Sequence, residues 1–226
     1  MIKNISNLGD AAVYCDFGDE VNQEINSKVI NYFQNLKDSK FEGITNLTPS
    51  YNKLIVSFDL SITNFEKTKK IIENLEIKKN LCISKKKIQI PVCCEEEYAL
   101  DLKKLERKLN KPTSEILETF FSKEYFCYMT GFIAGMPFLG DIDKNLHAKR
   151  LETPRVKVPK GSIGLTEQFC NIYTFESPGG WNIIGNTPIK IFDMNKEENP
   201  ILIKPGDSVQ FYEITKKEFN KIKKVK

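Results

Sequence analysis

Along the first ninety or so residues the hydrophobic positions switch between two periods. Ala11 to Phe17 alternates as a strand, and Glu20 to Leu36 repeats as a helix opened by Asp19, with Val21, Ile25, Val29, Tyr32, Phe33 and Leu36 on one stripe. Gly43 to Leu47 and Leu54 to Phe58 predict two short strands around a turn in which Pro49 and Asn52 favour reversal. A capping box at Thr63 and Glu66 opens a second helix carrying Ile71, Ile72 and Leu75, after which Ile88, Ile90 and Val92 alternate as a last strand.

The order β-α-β-β-α-β is the ferredoxin-like split pattern, which predicts an α+β domain over residues 1–85 with an antiparallel sheet and both helices on one face. Two more helical stretches follow, one with Leu102, Leu105 and Leu109 on a face and one opened by Thr113, Ser114 and Glu115. Beyond Ser122 the helical period disappears. Short apolar runs (Val156 to Val158, Ile163 to Leu165, Ile172 to Phe175, Ile189 to Phe192, Ile201 to Ile203, Val209 to Tyr212) divided by Gly, Pro, Asn and Asp predict a small closed all-β barrel over residues 86–226, with the two helices inserted. The domain boundary is expected between Lys78 and Val92.

Composition narrows the function classes. The 34 basic and 30 acidic residues leave a net charge of +4, too slight an excess to argue for nucleic acid. The lysine-rich end from Lys216 to Lys226 reads as a solvated terminus. Six cysteines (Cys15, Cys82, Cys93, Cys94, Cys127, Cys170) show no C-x-x-C spacing, and His147 is the single histidine, so no metal site is expected. No charged-then-apolar leader opens the chain and no run approaches the roughly 18 apolar residues of a membrane span, so the expectation is a cytoplasmic protein with reduced thiols.

Three segments can carry chemistry. Ser177 to Pro188 packs Gly179, Gly180, Gly185, two prolines and the sole tryptophan, Trp181, into twelve residues; it reads either as a tight turn pinned by a buried tryptophan or as a loop whose backbone approaches a ligand. Gly131 to Gly140, with a third glycine at Gly135, is either a strand-to-loop turn or a nest of amides for an anion, and it lacks the Gly-Lys-Ser/Thr ending of a phosphate-binding loop. Pro154 to Ser162 places Arg155 before a strand and Gly161-Ser162 after it; the guanidinium fork suits a carboxylate or phosphate, and equally a carbonyl or an acidic neighbour. His147 has no Ser or Cys at a telling spacing, which argues against a nucleophile triad.

In order and spacing these segments resemble the carboxyltransferase subdomain C and D family, also called allophanate hydrolase subunit 1, whose members include the B-type subunits of bacterial 5-oxoprolinases and a sporulation-kinase inhibitor. The resemblance rests on Gly131-Phe132-x-x-Gly135, Leu139, Pro154-Arg155, Val158-Pro159-x-Gly161-Ser162, Ile172-Tyr173, Ser177-Pro178-Gly179-Gly180-Trp181, Ile184-Gly185-x-Thr187-Pro188, Phe192-Asp193 and Gly206-Asp207. It implies a cyclophilin-like barrel for the C-terminal part and two partners, a C-type cyclophilin-like subunit and an A-type third subunit. The implied reaction is ATP-dependent opening of the 5-oxoproline lactam to glutamate, with ATP, and Mg with it, used at the level of the assembly. Amide activation by phosphoryl transfer depends on positioning and charge stabilisation more than on a protein nucleophile.

On that resemblance Arg155 clamps an anionic group, Ser177 and Thr187 supply hydroxyl contacts, and the Gly179 and Gly180 amides approach substrate or nucleotide. Gly131, Phe132, Gly135, Pro154, Gly161, Ser162, Tyr173, Pro178, Trp181 and Gly185 complete the expected binding set. The chain departs from the family pattern at several positions: Phe169, Cys170 and Asn171 replace a Gln-Thr-Gly run, Phe120 stands where a histidine is usual, Asn186 replaces a basic residue, and Ala99-Leu100-Asp101 replaces Gly-Pro-Asp. Two other readings stand beside the first: an amide hydrolase component of the allophanate hydrolase or urea amidolyase type, and a non-catalytic protein that binds and inhibits a histidine kinase.

Overall fold

The computed structural model describes residues 2–77 and 86–225. The chain separates into two compact units, Met1–Ser84 and Lys85–Lys226. The boundary expected at residue 85 and Cys82 both lie outside the described residues.

In the first unit, strands β1 (Asn4–Asn7), β2 (Ala12–Asp16), β3 (Ile44–Pro49) and β4 (Lys53–Phe58) form an antiparallel sheet in the order β1-β2-β4-β3, joined by helices α1 (Gln23–Ser39) and α2 (Phe65–Glu73). Alternate residues Val13, Cys15, Leu54, Val56 and Phe58 turn inward and meet Val29, Leu36 and Ile72 from the helices. This corrects the expected β-α-β-β-α-β order. The strand beside β2 comes from the amino end, where Asn4–Asn7 offers a single apolar residue, Ile5, and so gives no alternating signal. The helix starts also shift: α1 is capped by Asn22, whose Oδ1 accepts from Ile25 N at 2.9 Å, and α2 by Asn64 rather than Thr63, through Lys67 N at 3.0 Å. Asp19 instead pairs with Lys3 at 2.5 Å.

The strand expected to finish that sheet, β5 (Lys87–Val92), lies in the second unit, parallel to β13 (Ser208–Glu213), with Ile88 opposite Val209 and Ile90 opposite Phe211. Helices α3 (Leu102–Leu109) and α4 (Thr113–Phe121) follow, and then β6 (Glu124–Thr130), β7 (Pro137–Gly140), β8 (Arg155–Val158), β9 (Ser162–Leu165), β10 (Cys170–Ile172), β11 (Ser177–Gly179) and β12 (Asn182–Asn186); α5 (Lys216–Val225) ends the chain. Seven strands make one sheet in the order β12-β9-β10-β7-β6-β13-β5, while β8 and β11 form a separate ribbon. The long sheet curls until its two edges meet: Cys93, just past β5, exchanges backbone hydrogen bonds of 2.9 and 3.0 Å with Asn186 at the end of β12. This bridge joins the two edges of the curled sheet at one point, shortening the exposed ladder that an open seven-stranded sheet would present.

The runs Ile189 to Phe192 and Ile201 to Ile203 are not strands among the described residues. They touch through one isolated bridge between Phe192 and Ile201, because Pro188 and Pro200 remove ladder donors beside them. Inside the curl, Phe120 from α4 stacks on Tyr125 (5.1 Å) and Phe211 (5.0 Å), and Tyr125 Oη donates to Phe120 O at 2.7 Å. The position at which the family pattern carries a histidine is therefore core. Replacing Phe120 by Ala should lower unfolding stability by about 3–5 kcal/mol in urea titration, with the slope unchanged.

Candidate functional site

The ribbon of β8 and β11 joins two of the three segments singled out in the sequence. Gly179 sits opposite Arg155 and Ser177 opposite Val158, with a register irregularity between them. Gly179 is required by packing, since a Cβ there would collide with Tyr173 Oη. Gly180 O accepts from Leu151 N at 2.7 Å, which ties the 150–153 loop to the ribbon, and Pro154 covers Gly180. Trp181 is half-buried rather than buried, its ring meeting Phe138 edge-to-face at 5.6 Å.

Arg155 is held by Asp101. Nη1 and Nη2 donate to the two carboxylate oxygens at 2.7 and 2.5 Å, a bidentate pair in which Asp101 is wholly buried and Arg155 keeps 23% of its side chain exposed. Asp101 is itself fixed to β12: Ile183 N donates to Oδ2 at 2.8 Å, and Asp101 N donates to Ile183 O at 2.9 Å. The fork expected to clamp a ligand anion thus grips a protein carboxylate at the start of α3.

Beside this pair opens a cleft of about 800 Å³ lined by Lys104 and Lys108 of α3 and by the loop from His147 to Arg155. Lys104 and Lys108 share a helix face by their spacing of four. Lys108 Nζ donates to Asn182 Oδ1 at 3.1 Å, and Asn182 Nδ2 donates to Lys149 O at 3.0 Å, so the loop is anchored to β12 as well. Burial raises the Tyr173 hydroxyl above its ordinary range, while a hydrogen bond from Asn171 and the charges of Arg150 and Arg155 oppose that rise.

Two polar atoms here are buried without a partner, Ser177 Oγ and Asn171 Oδ1. Burial pushes the described thiols up, Cys15 to about 12 and Cys93, Cys94, Cys127 and Cys170 in the same direction, so none is a ready thiolate at neutral pH. His147 Nε2 lies 3.2 Å from Ile142 O, with no nucleophile among its described partners.

The remaining expected residues lie elsewhere in the unit. Gly161, Ser162, Gly185 and Thr187 gather around the bridge that closes the sheet: Thr187 N donates to Gly161 O at 2.9 Å, and a Cβ on Gly161 would lie 2.5 Å from Thr187 O. Thr187 Oγ1 accepts from Ile189 N at 3.3 Å. The Gly131–Gly140 segment turns between β6 and β7, with Phe132 and Gly135 at positive φ and its amides bonded to its own carbonyls (Gly131 N to Met136 O, Ile133 N to Gly131 O, Met136 N to Ile133 O). Phe132 is 73% exposed. Asp101, Lys104, Lys108 and Arg150 were not singled out from the sequence as site residues; the i,i+4 lysines and the basic pair before Pro154 were the available signals. No group of three metal-ligating side chains occurs among the described residues.

Because Asp101 cannot reach water and Arg155 can, the two halves of the pair are unequal. Arg155→Ala should cost about 3–5 kcal/mol in urea unfolding by leaving a buried carboxylate uncompensated, and Asp101→Ala should cost less. Equal losses would contradict the geometry.

Residues 3–203 match the model of the carboxyltransferase domain, subdomain C and D. The chain is 31% identical over 231 residues to the B-type subunit of 5-oxoprolinase from Bacillus subtilis, covering 97% of this chain and 96% of that one. It is 32% identical over 212 residues to the B-type subunit of 5-oxoprolinase from Haemophilus influenzae, covering 92% and 96%. Among solved structures, the urea amidolyase of Kluyveromyces lactis aligns over 97% of this chain and 15% of its own with a TM-score of 0.80 and 20% identity, a likeness of fold. With a family model spanning most of its length and near-complete relatives beside it, the chain belongs to the carboxyltransferase domain, subdomain C and D family.

Proposed function

We propose that the chain is the B-type subunit of an ATP-dependent 5-oxoprolinase, a hydrolase component that acts with a C-type cyclophilin-like subunit and an A-type third subunit in the cytoplasm to open 5-oxoproline to glutamate. The observation that carries this reading is the match, at 31–32% identity and over nearly the full length of both chains, to two proteins named as B-type subunits of 5-oxoprolinase. On the same reading the curled sheet of the second unit is a cyclophilin-like barrel. Among the described residues no helix is long and apolar enough to cross a membrane, which is compatible with that setting.

The chemistry fits the groups available. An unstrained lactam amide is a poor electrophile, and ATP, when bound in the assembly, would activate its oxygen by phosphoryl transfer. What this chain would contribute is position and charge. The Asp101–Arg155 pair gives a rigid edge beside the ribbon, and the Ser177 hydroxyl is a buried group with a hydrogen bond still to make. We assign Arg155 to orienting the ribbon and its cleft, Ser177 to a substrate contact, and the Gly179-Gly180 backbone to close approach. The urea amidolyase reading has weaker support, since the urea amidolyase of Saccharomyces cerevisiae is only 21% identical and this chain spans 13% of its length.

The test is reconstitution with the C-type and A-type subunits and assay of ATP-dependent glutamate release from 5-oxoproline. Turnover that requires this chain is expected. Ser177→Ala should leave the melting temperature unchanged, because the hydroxyl has no protein partner to lose, and lower kcat/KM by about 10- to 100-fold. Stable co-purification without turnover on 5-oxoproline would overturn the proposal, and turnover on a urea derivative alone would favour the amidolyase type.

A further inference from the structure

The cleft beside α3 collects more positive charge than the fold uses. Lys104, Lys108, Lys149, Arg150 and Arg155 line it against one lining carboxylate, Glu152. Arg155 is matched by Asp101, with Lys104 Nζ 4.0 Å from the same carboxylate, and Lys108 is held by neutral acceptors, Asn182 Oδ1 and, at 3.5 Å, Lys149 O. Neither Lys149 nor Arg150 has an ion-pair partner among the described residues. Like charges gathered in a concave surface repel one another over distances shorter than the screening length of about 8–10 Å, so the arrangement is unfavourable until an anion enters.

Size and charge indicate the kind of anion. A volume of about 800 Å³ suits a ligand of nucleotide dimensions, within the roughly 300–1,000 Å³ typical of small-molecule sites. A single carboxylate would leave most of these cations unmatched. Three or four negative charges along a flexible chain would not. The lysines can act as point charges on phosphoryl oxygens and the Arg150 fork can take two oxygens of one phosphate. The side chains come from two elements, α3 and the 147–155 loop, and both are locked to β12 through Asp101 and Asn182, so their separation is fixed before a ligand arrives.

We infer that this cleft binds the polyphosphate chain of a nucleotide, and hence that this chain contacts the nucleotide directly. That the polyphosphate belongs to ATP rests on the proposed function; the preference for a polyphosphate rests on the cleft itself.

Calorimetric titration of the purified chain with inorganic triphosphate, and separately with 5-oxoproline, tests the inference. Triphosphate should bind, and bind more weakly as salt rises from about 50 to about 200 mM. The double variant Lys149→Glu, Arg150→Glu should weaken binding by at least about tenfold, because two favourable charges become two repulsive ones, with an unchanged melting temperature because both side chains are exposed. Absence of triphosphate binding by the folded chain, or binding unaffected by the double variant, overturns the inference even if the assembly opens 5-oxoproline. Charge-dependent triphosphate binding supports it even if the assembly fails to turn over the lactam, in which case the proposed function alone falls.

Discussion

The second unit depends on one buried ion pair. Asp101 has no water to solvate it, so its charge must be met from within the protein, and Arg155 meets it with two hydrogen bonds while Ile183 N adds a third. These contacts tie the start of α3, the strand β8 and the strand β12, three pieces separated by 54 and 28 positions in the chain, to one carboxylate. The ribbon, the basic loop and the lysines of α3 take their places relative to it. A buried pair of this kind contributes little net stability against an apolar substitute, but once Asp101 is present Arg155 is obligatory.

Close backbone approach is the second constraint, and it explains why the glycines stand where they do. Gly179 yields to the Tyr173 hydroxyl and Gly161 to the Thr187 carbonyl. The first lets a buried phenol lie against the ribbon, where Arg150 and Arg155 reach it electrostatically; the second lets the chain pass under the bridge that closes the sheet. The ribbon and the sheet closure thus use separate glycines, Gly179 from the Ser177 to Pro188 segment and Gly161 from the Pro154 to Ser162 segment.

The departures from the family pattern have structural explanations at the positions where partners can be named. Phe120 completes an aromatic stack with Tyr125 and Phe211. Asn186 donates to Lys160 O at 2.9 Å and lies 3.4 Å from Ser162 Oγ at the sheet closure, where a longer basic side chain could not lie buried without a counter-charge. Cys170 is wholly buried on β10, and Asn171 contacts Tyr173 while keeping one oxygen unpartnered. Phe120 and Cys170 thus pack apolar surface where the family pattern has polar side chains, whereas Asn171 and Asn186 remain polar.

By itself the sequence determined most local features: the strand and helix periods, the helices α3 and α4, the short strands around Val156, Ile163, Ile172 and Val209, and the prominence of Arg155 and the Ser177–Trp181 run, because periodicity and glycine placement act over a few residues. It did not determine which strand pairs with which. Ile88, Ile90 and Val92 carry the same alternation whether they finish the first sheet or lie beside β13, and Asn4–Asn7 carries almost none. Nor could it assign the partner of Arg155, since an arginine fork fits a ligand phosphate and a protein carboxylate equally well. Only the tertiary structure brought Asp101 to that fork and Lys104, Lys108, Lys149 and Arg150 to one cleft, because long-range charge pairing is set by where the chain folds back and leaves no mark on spacing.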